Sequence, residues 1–270
     1  NTAVTVFFLI LRVFSLYFLA VSLFGLCSRR RPEPAARLRR FAVLIAARNE
    51  ESCIAGLIES LRAQHYPPEL VDIWVLPNNC TDRTAEAARR AGAQVLEMPA
   101  SVRSKGAALH TAAKALLRSA RNYDAFCVFD ADNEADPAFL SEMNRALDRT
   151  AIVKSRILAK NRTQAGISAC YEIYFCSANH FLNRAREAVG LSARVIGTGF
   201  AIRRDLLEAL DGFPCRTLTE DAELYAACLC RGARIGYCET AITYDEEPVT
   251  WRASLVQRKR WMSEIGRAHV

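Results

Sequence analysis

The chain has 270 residues, of which 51% are hydrophobic and 24% charged, so it can form one large core and its composition excludes a disordered protein. Lysine and arginine number 36 against 29 aspartate and glutamate residues, which gives a formal net charge of +7. Much of the excess lies in the basic block RRRPEPAARLRR at 29–40, a pattern typical of a solvated face or a nucleic-acid tail.

An apolar run, TVFFLILRVFSLYFLAVSLFGL at 5–26, precedes this block. It is long enough to cross a bilayer as one helix of about 20 residues. We therefore predict a membrane span at 1–28 and a basic linker at 29–40. Arg12 can extend its side chain to the interface, although a charge in the run also fits a buried core helix, and a cleaved signal peptide would have a shorter apolar region. Because basic residues after a span stay in the cytoplasm, we expect a cell-membrane protein with a cytoplasmic domain and no nucleic-acid partner.

The cysteines and histidines do not indicate a metal centre or a disulfide framework. The ten cysteines fall mostly inside apolar segments and include no C-x-x-C pair. They are typical of small buried side chains in a reducing compartment. The four histidines have no metal-ligand spacing, so we predict no zinc site.

Strand patterns alternate with helical patterns from Phe41 to Asp130. The strands are FAVLIAA, VDIWVLP, AQVLEM and AFCVFD, and the helices lie in NEESCIAGLIESLRAQHY, where Ser52 is the predicted cap, DRTAEAARRAG and KGAALHTAAKALLRSA. This alternation predicts an α/β domain at 41–246, with a mainly parallel sheet flanked by helices. Ligands of such sheets bind beyond the carboxyl ends of the strands. The polar residues at 48–50, 78–82 and 130–132 should therefore converge.

The alternation weakens after residue 137. AIVKSRIL predicts a strand, ISACYEIYFCSANHFLNRAREAVG a long helix or helix pair, and VIGTGFAIRRD a strand after a glycine turn. TEDAELYAACLCRG predicts a helix with Thr219 as its cap and acids in its first turn. RIGYCETAITYDEEP predicts closing strands, and the segment 247–270 an amphipathic basic helix.

Four carboxylates crowd the stretch CVFDADNEAD at 127–136, where a buried strand is predicted to end. Like charges repel and are costly to desolvate, so a cation or a hydrogen-bond network is expected beside them. Two carboxylates one residue apart, such as Asp130 and Asp132, suit a hard divalent cation. The alternative is an Asp-rich turn that caps the next helix, which is our interpretation of Asp136.

Seven short motifs occur in an order that resembles the membrane-anchored family 2 glycosyltransferases. They are AARNEE at 46–51, NNCTDRT at 78–84, KGAAL at 105–109, FDADN at 129–133, GTGF at 197–200, TED at 219–221 and QRKRW at 257–261. The similar branch contains the synthases of cellulose, hyaluronan, chitin and poly-N-acetylglucosamine. Each motif alone is weakly specific, whereas seven in order are strong. The resemblance covers about residues 41 to 262 and implies a GT-A type, Rossmann-like fold.

The resemblance assigns the donor site. It implies that Asp132 coordinates Mg or Mn on the diphosphate of a UDP-sugar, and that Asp130 contacts the ribose or the metal shell. Asp82 would bind the uracil ring, although it also suits a helix start, and Glu50 would line the base and ribose pocket. Lys105 would neutralise the phosphates; a lone lysine at a helix start is otherwise usually solvated.

The resemblance also assigns the transfer chemistry. Sugar transfer with inversion needs a base for the acceptor proton and a cation for the leaving diphosphate. By resemblance Asp221 of TED is that base. The alternatives are its neighbour Glu220 and a structural role at the helix N-terminus.

The resemblance assigns residues of the QRKRW segment to the binding of both the donor and the acceptor. The family pattern makes Gln257, Arg258 and Arg260 contacts of the diphosphate or donor, and Trp261 the platform for the acceptor. An amphipathic helix at the membrane surface would have the same composition. Gly199 of GTGF would let the backbone approach the acceptor or donor sugar closely.

The predicted function is metal-dependent, inverting transfer of glucose or N-acetylglucosamine from a UDP-sugar to a glycan hydroxyl. A lipid acceptor, as in ceramide glucosyltransferases, fits the same motifs. Two other functions remain open from the residues: a nucleotidyltransferase, which also uses paired carboxylates and metal ions, and a catalytically silent subunit that binds nucleotide or glycan.

Overall fold

The computed structural model describes residues 2–27, 35–214 and 219–268. The helices are α1 (Thr2–Cys27), α2 (Ile54–Arg62), α3 (Thr84–Arg90), α4 (Lys105–Leu117), α5 (Phe139–Ala146), α6 (Gly166–Ser177), α7 (Ala185–Ala188), α8 (Arg204–Ala209), α9 (Glu220–Cys230) and α10 (Trp251–Ala268). The strands are β1 (Phe41–Ala47), β2 (Val71–Pro77), β3 (Gln94–Val95), β4 (Ala125–Asp130), β5 (Glu134–Ala135), β6 (Ile152–Ala159), β7 (Phe200–Arg203) and β8 (Ile235–Asp245).

The strands form one sheet of eight in the order β3-β2-β1-β4-β7-β6-β8-β5. Strands β3, β2, β1 and β4 are parallel, and β6 is parallel to β8. Strand β7 is antiparallel to both β4 and β6, and β5 is antiparallel to β8. The predicted α/β architecture with a mixed, mainly parallel sheet is confirmed.

Apolar residues of β1 pack on both faces of the sheet, as its continuous apolar run predicts. Phe41, Val43 and Ile45 belong to one buried cluster, which includes residues of α2 and α5. Ala42 and Leu44 belong to the other, which includes residues of α4 and α9. The central strands are thus held between two layers of helices.

Several local predictions differ from the structure. The predicted strand AQVLEM is only the two residues of β3, and the closing strands are a single strand, β8, whose pairing with β6 shifts register at Ser155 and Arg156. Helix α2 begins at Ile54 with no side-chain cap, so Ser52 does not cap it. Thr219 takes the N-cap position of α9, also without a side-chain cap bond.

Helix α1 is long and apolar enough over Val4–Leu26 to cross a membrane, and its large apolar side chains are exposed. It meets the α/β domain near its C-terminal end, where Ser22 Oγ donates to the Phe181 carbonyl at 3.1 Å. Residues 29–34, half of the predicted 29–40 linker, lie outside the described residues. From Ala36, whose N–H donates to Asp148 at 2.8 Å, the chain is tied to the domain.

Candidate active site

The loops that follow β1 and β2 are tied to each other. Asn49 and Asn79 both adopt positive φ values, 62° and 53°, where asparagine is tolerated. Asn49 Oδ1 accepts a hydrogen bond from Thr81 N at 2.8 Å, and Glu50 N donates to Thr84 Oγ1 at 2.9 Å. The AARNEE and NNCTDRT motifs therefore form one surface, as the convergence of strand ends predicts.

Asp82 lies on this surface and is exposed. Its Oδ1 accepts from Thr84 Oγ1 at 2.5 Å and from Thr84 N at 3.1 Å, and its Oδ2 accepts from Glu51 N at 3.1 Å. These hydrogen bonds lower the pKa of Asp82, and the one from the Thr84 hydroxyl has the largest effect. The carboxylate is held in place and keeps lone pairs for a further donor.

Lys105 connects three separate parts of the chain. Its Nζ lies 2.5 Å from Asp130 Oδ1, donates to the Gly197 carbonyl at 2.6 Å and lies 3.6 Å from Glu220 Oε1. Ser104 caps α4 and fixes the helix start from which this side chain extends. Burial opposes the charge of the ammonium, but the carboxylates of Asp130 and Glu220 outweigh it and raise the pKa of Lys105.

The turn after β4 orients the two acids that the sequence predicts as metal ligands. Asp130 N donates to Thr198 Oγ1 at 3.0 Å. The buried Asn133 accepts a hydrogen bond from the Thr198 hydroxyl and donates to Asp245 Oδ1 at 2.7 Å. Burial, the adjacent Asp130 carboxylate and the more distant Glu50 raise the pKa of Asp132 to about 6.

Two acids that the sequence analysis did not assign to the site belong to the same cluster. Asp245 ends β8, and burial together with Asp132 raises its pKa well above the ordinary value. Glu247 is 5% exposed, and burial and then Asp132 raise its pKa to about 7. The segment YDEEP could have indicated these two acids, because it lies at the end of a strand.

The residues at the turn fit a divalent cation by their chemistry. Among the described residues no group of three histidine, cysteine or acidic side chains is already arranged around a metal position. Burial first, and neighbouring carboxylates second, raise the pKa values of Asp132 and Glu247, and a bound cation would offset both effects. Carboxylate oxygens are the ligands that Mg²⁺ and Mn²⁺ prefer.

Asp221 and Glu220, in the first turn of α9, face the same loop from the other side. Asp221 Oδ2 accepts from Gly197 N at 3.1 Å, and its Oδ1 accepts from Ala222 N at 2.8 Å. Burial raises the pKa of Glu220, although the nearby Lys105 ammonium opposes this effect. The loop at Gly197 therefore joins the TED and DAD motifs through Lys105.

The two glycines of GTGF have different surroundings. A Cβ on Gly197 would lie 3.2 Å from Lys105 Nζ, on the side of the site. A Cβ on Gly199, whose φ is +59°, would lie 2.5 Å from Ser155 Oγ and 2.6 Å from Thr243 Oγ1. Because those groups are in the protein interior, the structure accounts for Gly199 by packing, and Gly197 is the glycine that borders the site.

A cleft of about 630 Å³ brings Asp132 together with the α10 segment. It is lined by Asp132, Pro248, Thr250, Arg252, Ala253, Val256, Gln257 and Arg260. Arg258 does not line it, since its guanidinium lies 5.2 Å from the ring centroid of Tyr171 on α6. The Trp261 side chain lies outside the described residues, so its predicted acceptor contact stays a prediction.

Comparisons with known sequences agree on one family. A model described as Glycosyltransferase like family 2 matches residues 39–264. The probable glycosyltransferase YdaM of Bacillus subtilis is 28% identical over 241 residues, which cover 85% of this chain and 56% of that protein. A β-monoglucosyldiacylglycerol synthase of Synechocystis is 26% identical over 230 residues, or 81% and 46% of the two chains. The chain spans about half the length of these curated relatives.

Solved structures share the fold. One is the mannosyltransferase PcManGT from Pyrobaculum calidifontis, solved with GDP-Man and Mn²⁺, which has a TM-score of 0.70 and 20% sequence identity to this chain. The match covers 94% of this chain and 69% of the PcManGT chain. Glucosyl-3-phosphoglycerate synthase from Mycobacterium tuberculosis, solved with Mn²⁺, UDP and phosphoglyceric acid, has a TM-score of 0.55 at 21% identity and covers 86% and 79%. The fold is thus of the GT-A type, and the chain belongs to the glycosyltransferase-like family 2.

Proposed function

We propose that this chain transfers a sugar of the glucose or N-acetylglucosamine class from a UDP-sugar to an acceptor hydroxyl, with inversion at the sugar carbon. One observation carries the proposal: Lys105 contacts Asp130, the Gly197 carbonyl and Glu220, while Gly197 N donates to Asp221. This network joins the acids expected to face the diphosphate to the acid expected to face the acceptor.

Asp221 is the proposed general base. Its carboxylate receives two backbone N–H groups, from Gly197 and Ala222, which fix its orientation while leaving lone pairs for an acceptor hydroxyl. A base held in that way can take the hydroxyl proton as the sugar bond forms. Glu220 is paired with Lys105, and we assign it the role of positioning that ammonium.

Asp132 and Asp130 are the proposed holders of Mg²⁺ or Mn²⁺, and Asp245 and Glu247 lie in the same acid cluster. A bound divalent cation would stabilise the negative charge that develops on the leaving diphosphate. Lys105 contributes positive charge from the opposite side of Asp130. Gln257 and Arg260, which line the cleft with Asp132, are proposed to bind the diphosphate or donor sugar.

Asp82 and Glu50 are the proposed contacts of the nucleoside. The Asp82 carboxylate is exposed and fixed by Thr84 and Glu51, so it can accept from an N–H of the base. Arg258, which stacks on Tyr171, is proposed to support α10 and not to touch the donor. Trp261 remains the proposed acceptor platform.

A membrane lipid is the acceptor that further observations favour over a glycan. Relatives of this chain are named β-monoglucosyldiacylglycerol synthases. The apolar helix α1, proposed as a membrane anchor, contacts the catalytic domain directly. The basic residues at 29–40 support a cytoplasmic position of the catalytic domain at the cell membrane.

The test is sugar transfer by the purified chain in vesicles that contain diacylglycerol, with labelled UDP-glucose and UDP-N-acetylglucosamine supplied in parallel with Mn²⁺. We expect a labelled lipid and free UDP. Asp221→Asn should lower kcat by about 10²- to 10⁴-fold and leave UDP affinity unchanged. The control Glu59→Gln changes an exposed acid of α2 and should be fully active.

Three outcomes would contradict the proposal. Release of pyrophosphate in place of UDP would indicate a nucleotidyltransferase. Binding of UDP without transfer to any lipid or glycan acceptor would indicate a silent binding subunit. An unchanged kcat in Asp221→Asn would remove that residue from the role of base.

A further inference from the structure

Helix α6, the π-helical segment Ala178–Arg184 and α7 follow one another without a break and form one rod from Gly166 to Ala188. The exposed residues of this rod recur every three or four positions, so they form one stripe along it. We call this the uncharged stripe; it consists of Gly166, Cys170, Ile173, Tyr174, Ser177 and Phe181. None of these residues is charged.

Its largest members are well exposed, with 66% of Ile173, 51% of Tyr174 and 48% of Phe181 accessible. The water-facing positions of α2 and α3 are instead all charged: Glu59, Arg62, Glu86, Arg89 and Arg90. Contiguous exposed apolar side chains indicate a surface that contacts something other than water.

Three of the four charged residues of the rod, Glu172, Arg184 and Glu187, make contacts with the rest of the domain. Arg184 lies 3.3 Å from Glu239, and Glu187 lies 2.8 Å from Arg234, both pairs joining the rod to the strand β8 region. Glu172 Oε2 accepts from Ala159 N at 2.7 Å, at the end of β6. The charges hold the rod on the domain, and its outer face is left without any.

The end of the stripe touches the candidate membrane span. Ser22 Oγ donates to the carbonyl of Phe181, and a Cβ on Gly25 would lie 2.7 Å from the His180 carbonyl and 3.2 Å from the Ala185 Cβ. Ser22 and Gly25 both belong to the apolar segment Val4–Leu26. Close approach of backbones at a glycine is typical of packed helices. Phe181 therefore lies at the depth of the last turns of that segment.

The same rod reaches the cleft at its other end. Tyr171 Oη lies 3.0 Å from Ser254 Oγ and donates to Gln257 Oε1 at 3.2 Å, both on α10. Tyr171 and Phe181 are ten residues apart along the rod. The rod thus fixes the distance between the cleft and the end of α1.

We propose that the uncharged stripe is embedded in the lipid surface, at the boundary between headgroups and acyl chains, and holds the cleft at the level where a lipid hydroxyl is presented. The proposal rests on the anchoring role of α1 given above. A lipid bilayer is the occupant because the stripe is continuous with the apolar segment that α1 would place in the membrane.

The experiment measures quenching of tryptophan by dibrominated phosphatidylcholine, with the full chain reconstituted into vesicles of that lipid and phosphatidylglycerol. Ile173→Trp reports the stripe eight residues from the α1 contact, and Tyr174→Trp is a second variant in case the first folds poorly. Phe14→Trp reports α1 itself. Glu59→Trp, on the water-facing side of α2, is the matched control. Each signal is corrected for the native Trp74, Trp251 and Trp261 by subtracting the unsubstituted chain.

We expect loss of fluorescence in Ile173→Trp, Tyr174→Trp and Phe14→Trp, and little loss in Glu59→Trp. If Phe14→Trp is quenched while Ile173→Trp and Tyr174→Trp are quenched no more than Glu59→Trp, α1 is in the bilayer but the stripe is covered by protein or water, and the inference is wrong. If Phe14→Trp is not quenched either, the anchoring proposal fails with it. Neither result depends on sugar transfer, which is measured separately.

Discussion

The Lys105 ammonium lies 2.5 Å from Asp130 Oδ1, although 25 residues separate the two along the chain. Lys105→Met would remove the ammonium that Asp130 and Glu220 share. It would also remove a positive charge that we expect to face the donor phosphates. We expect the Kd for UDP to rise about tenfold or more, since each tenfold change corresponds to about 1.4 kcal/mol. Isothermal titration measures this change. Lys114→Met, which changes an exposed surface pair with Asp211, is the control, and equal UDP affinity in both variants would contradict the assignment.

Asp132→Asn should abolish transfer and yet stabilise the metal-free protein. The folded-state pKa of Asp132, about 6, is above its ordinary value of 3.8. Ionising this residue therefore costs folding free energy, and the cost is absent below about pH 4 and complete above about pH 6. At neutral pH the substitution should add about 1–2 kcal/mol to the free energy of unfolding, less than the full pKa difference because the side chain is partly exposed.

Thermal unfolding of both proteins without divalent cations, and then with Mn²⁺, checks this prediction. Mn²⁺ should raise the Tm of the unsubstituted chain more than that of the variant. A metal-free variant that is less stable than the unsubstituted chain at neutral pH would show that the acid cluster is compensated by the protein itself.

Lys154 gives the folding stability a pH dependence of the opposite sign to that of Asp132. Its side chain is 1% exposed and donates to the carbonyls of Thr198 at 2.8 Å and Gly199 at 3.1 Å. Burial lowers its pKa to about 7, although Asp245 and Asp130 oppose this effect. Between about pH 7 and pH 10 the unfolded chain binds the proton that the folded chain has lost, so this residue makes the protein more stable as the pH rises.

Lys154→Met removes that dependence. The free energy of unfolding of the unsubstituted chain, relative to the variant, should increase between about pH 7 and about pH 9.5, as measured by urea denaturation. Lys114→Met, which removes a lysine from a surface pair with Asp211, is the control for the loss of a lysine charge. A constant difference between the chain and Lys154→Met would mean that Lys154 stays charged in the folded protein.

Gly199→Ala should destabilise the fold much more than Gly190→Ala. Both glycines have positive φ values, +59° and +77°, which cost an alanine about 1–2 kcal/mol. Only at Gly199 would the new methyl group meet Ser155 and Thr243, and overpacking adds about 1–3 kcal/mol. Denaturant unfolding of the two variants compares them directly. Equal losses would mean that the interior relaxes around the methyl group.

The sequence predicts the convergence of the residues that follow β1, β2 and β4. Strands β1 and β4 are apolar runs up to their last residues, β2 is apolar except for Asp72, and the polar residues at their ends meet because carboxyl ends of parallel strands share one edge. The pattern of GTGF does not reveal that β7 runs antiparallel between β4 and β6, because strand direction is set by distant pairing and not by local composition.

That reversal explains the residues that the sequence analysis did not find. Lys154 and Asp245 reach the site only through the register of β6, β7 and β8, which no local motif encodes. The same register turns Gly199 inward and leaves Gly197 beside Lys105. The cap prediction at Ser52 failed for a simpler reason: residue preference for a cap position does not guarantee that the residue caps, and Thr219, which does take the predicted N-cap position, makes no side-chain cap bond.

The insertion between β6 and β7 departs from one strand and returns to its immediate neighbour, where Ile152 pairs with Ile202. The whole helical rod belongs to this excursion, whereas Asp130 and Asp132 precede it and Asp221 follows it. The excursion also ends in the loop whose Gly197 and Thr198 hold Lys105, Asp130 and Asp221 in place. A displacement of the rod would therefore be passed directly to the positions of these three side chains.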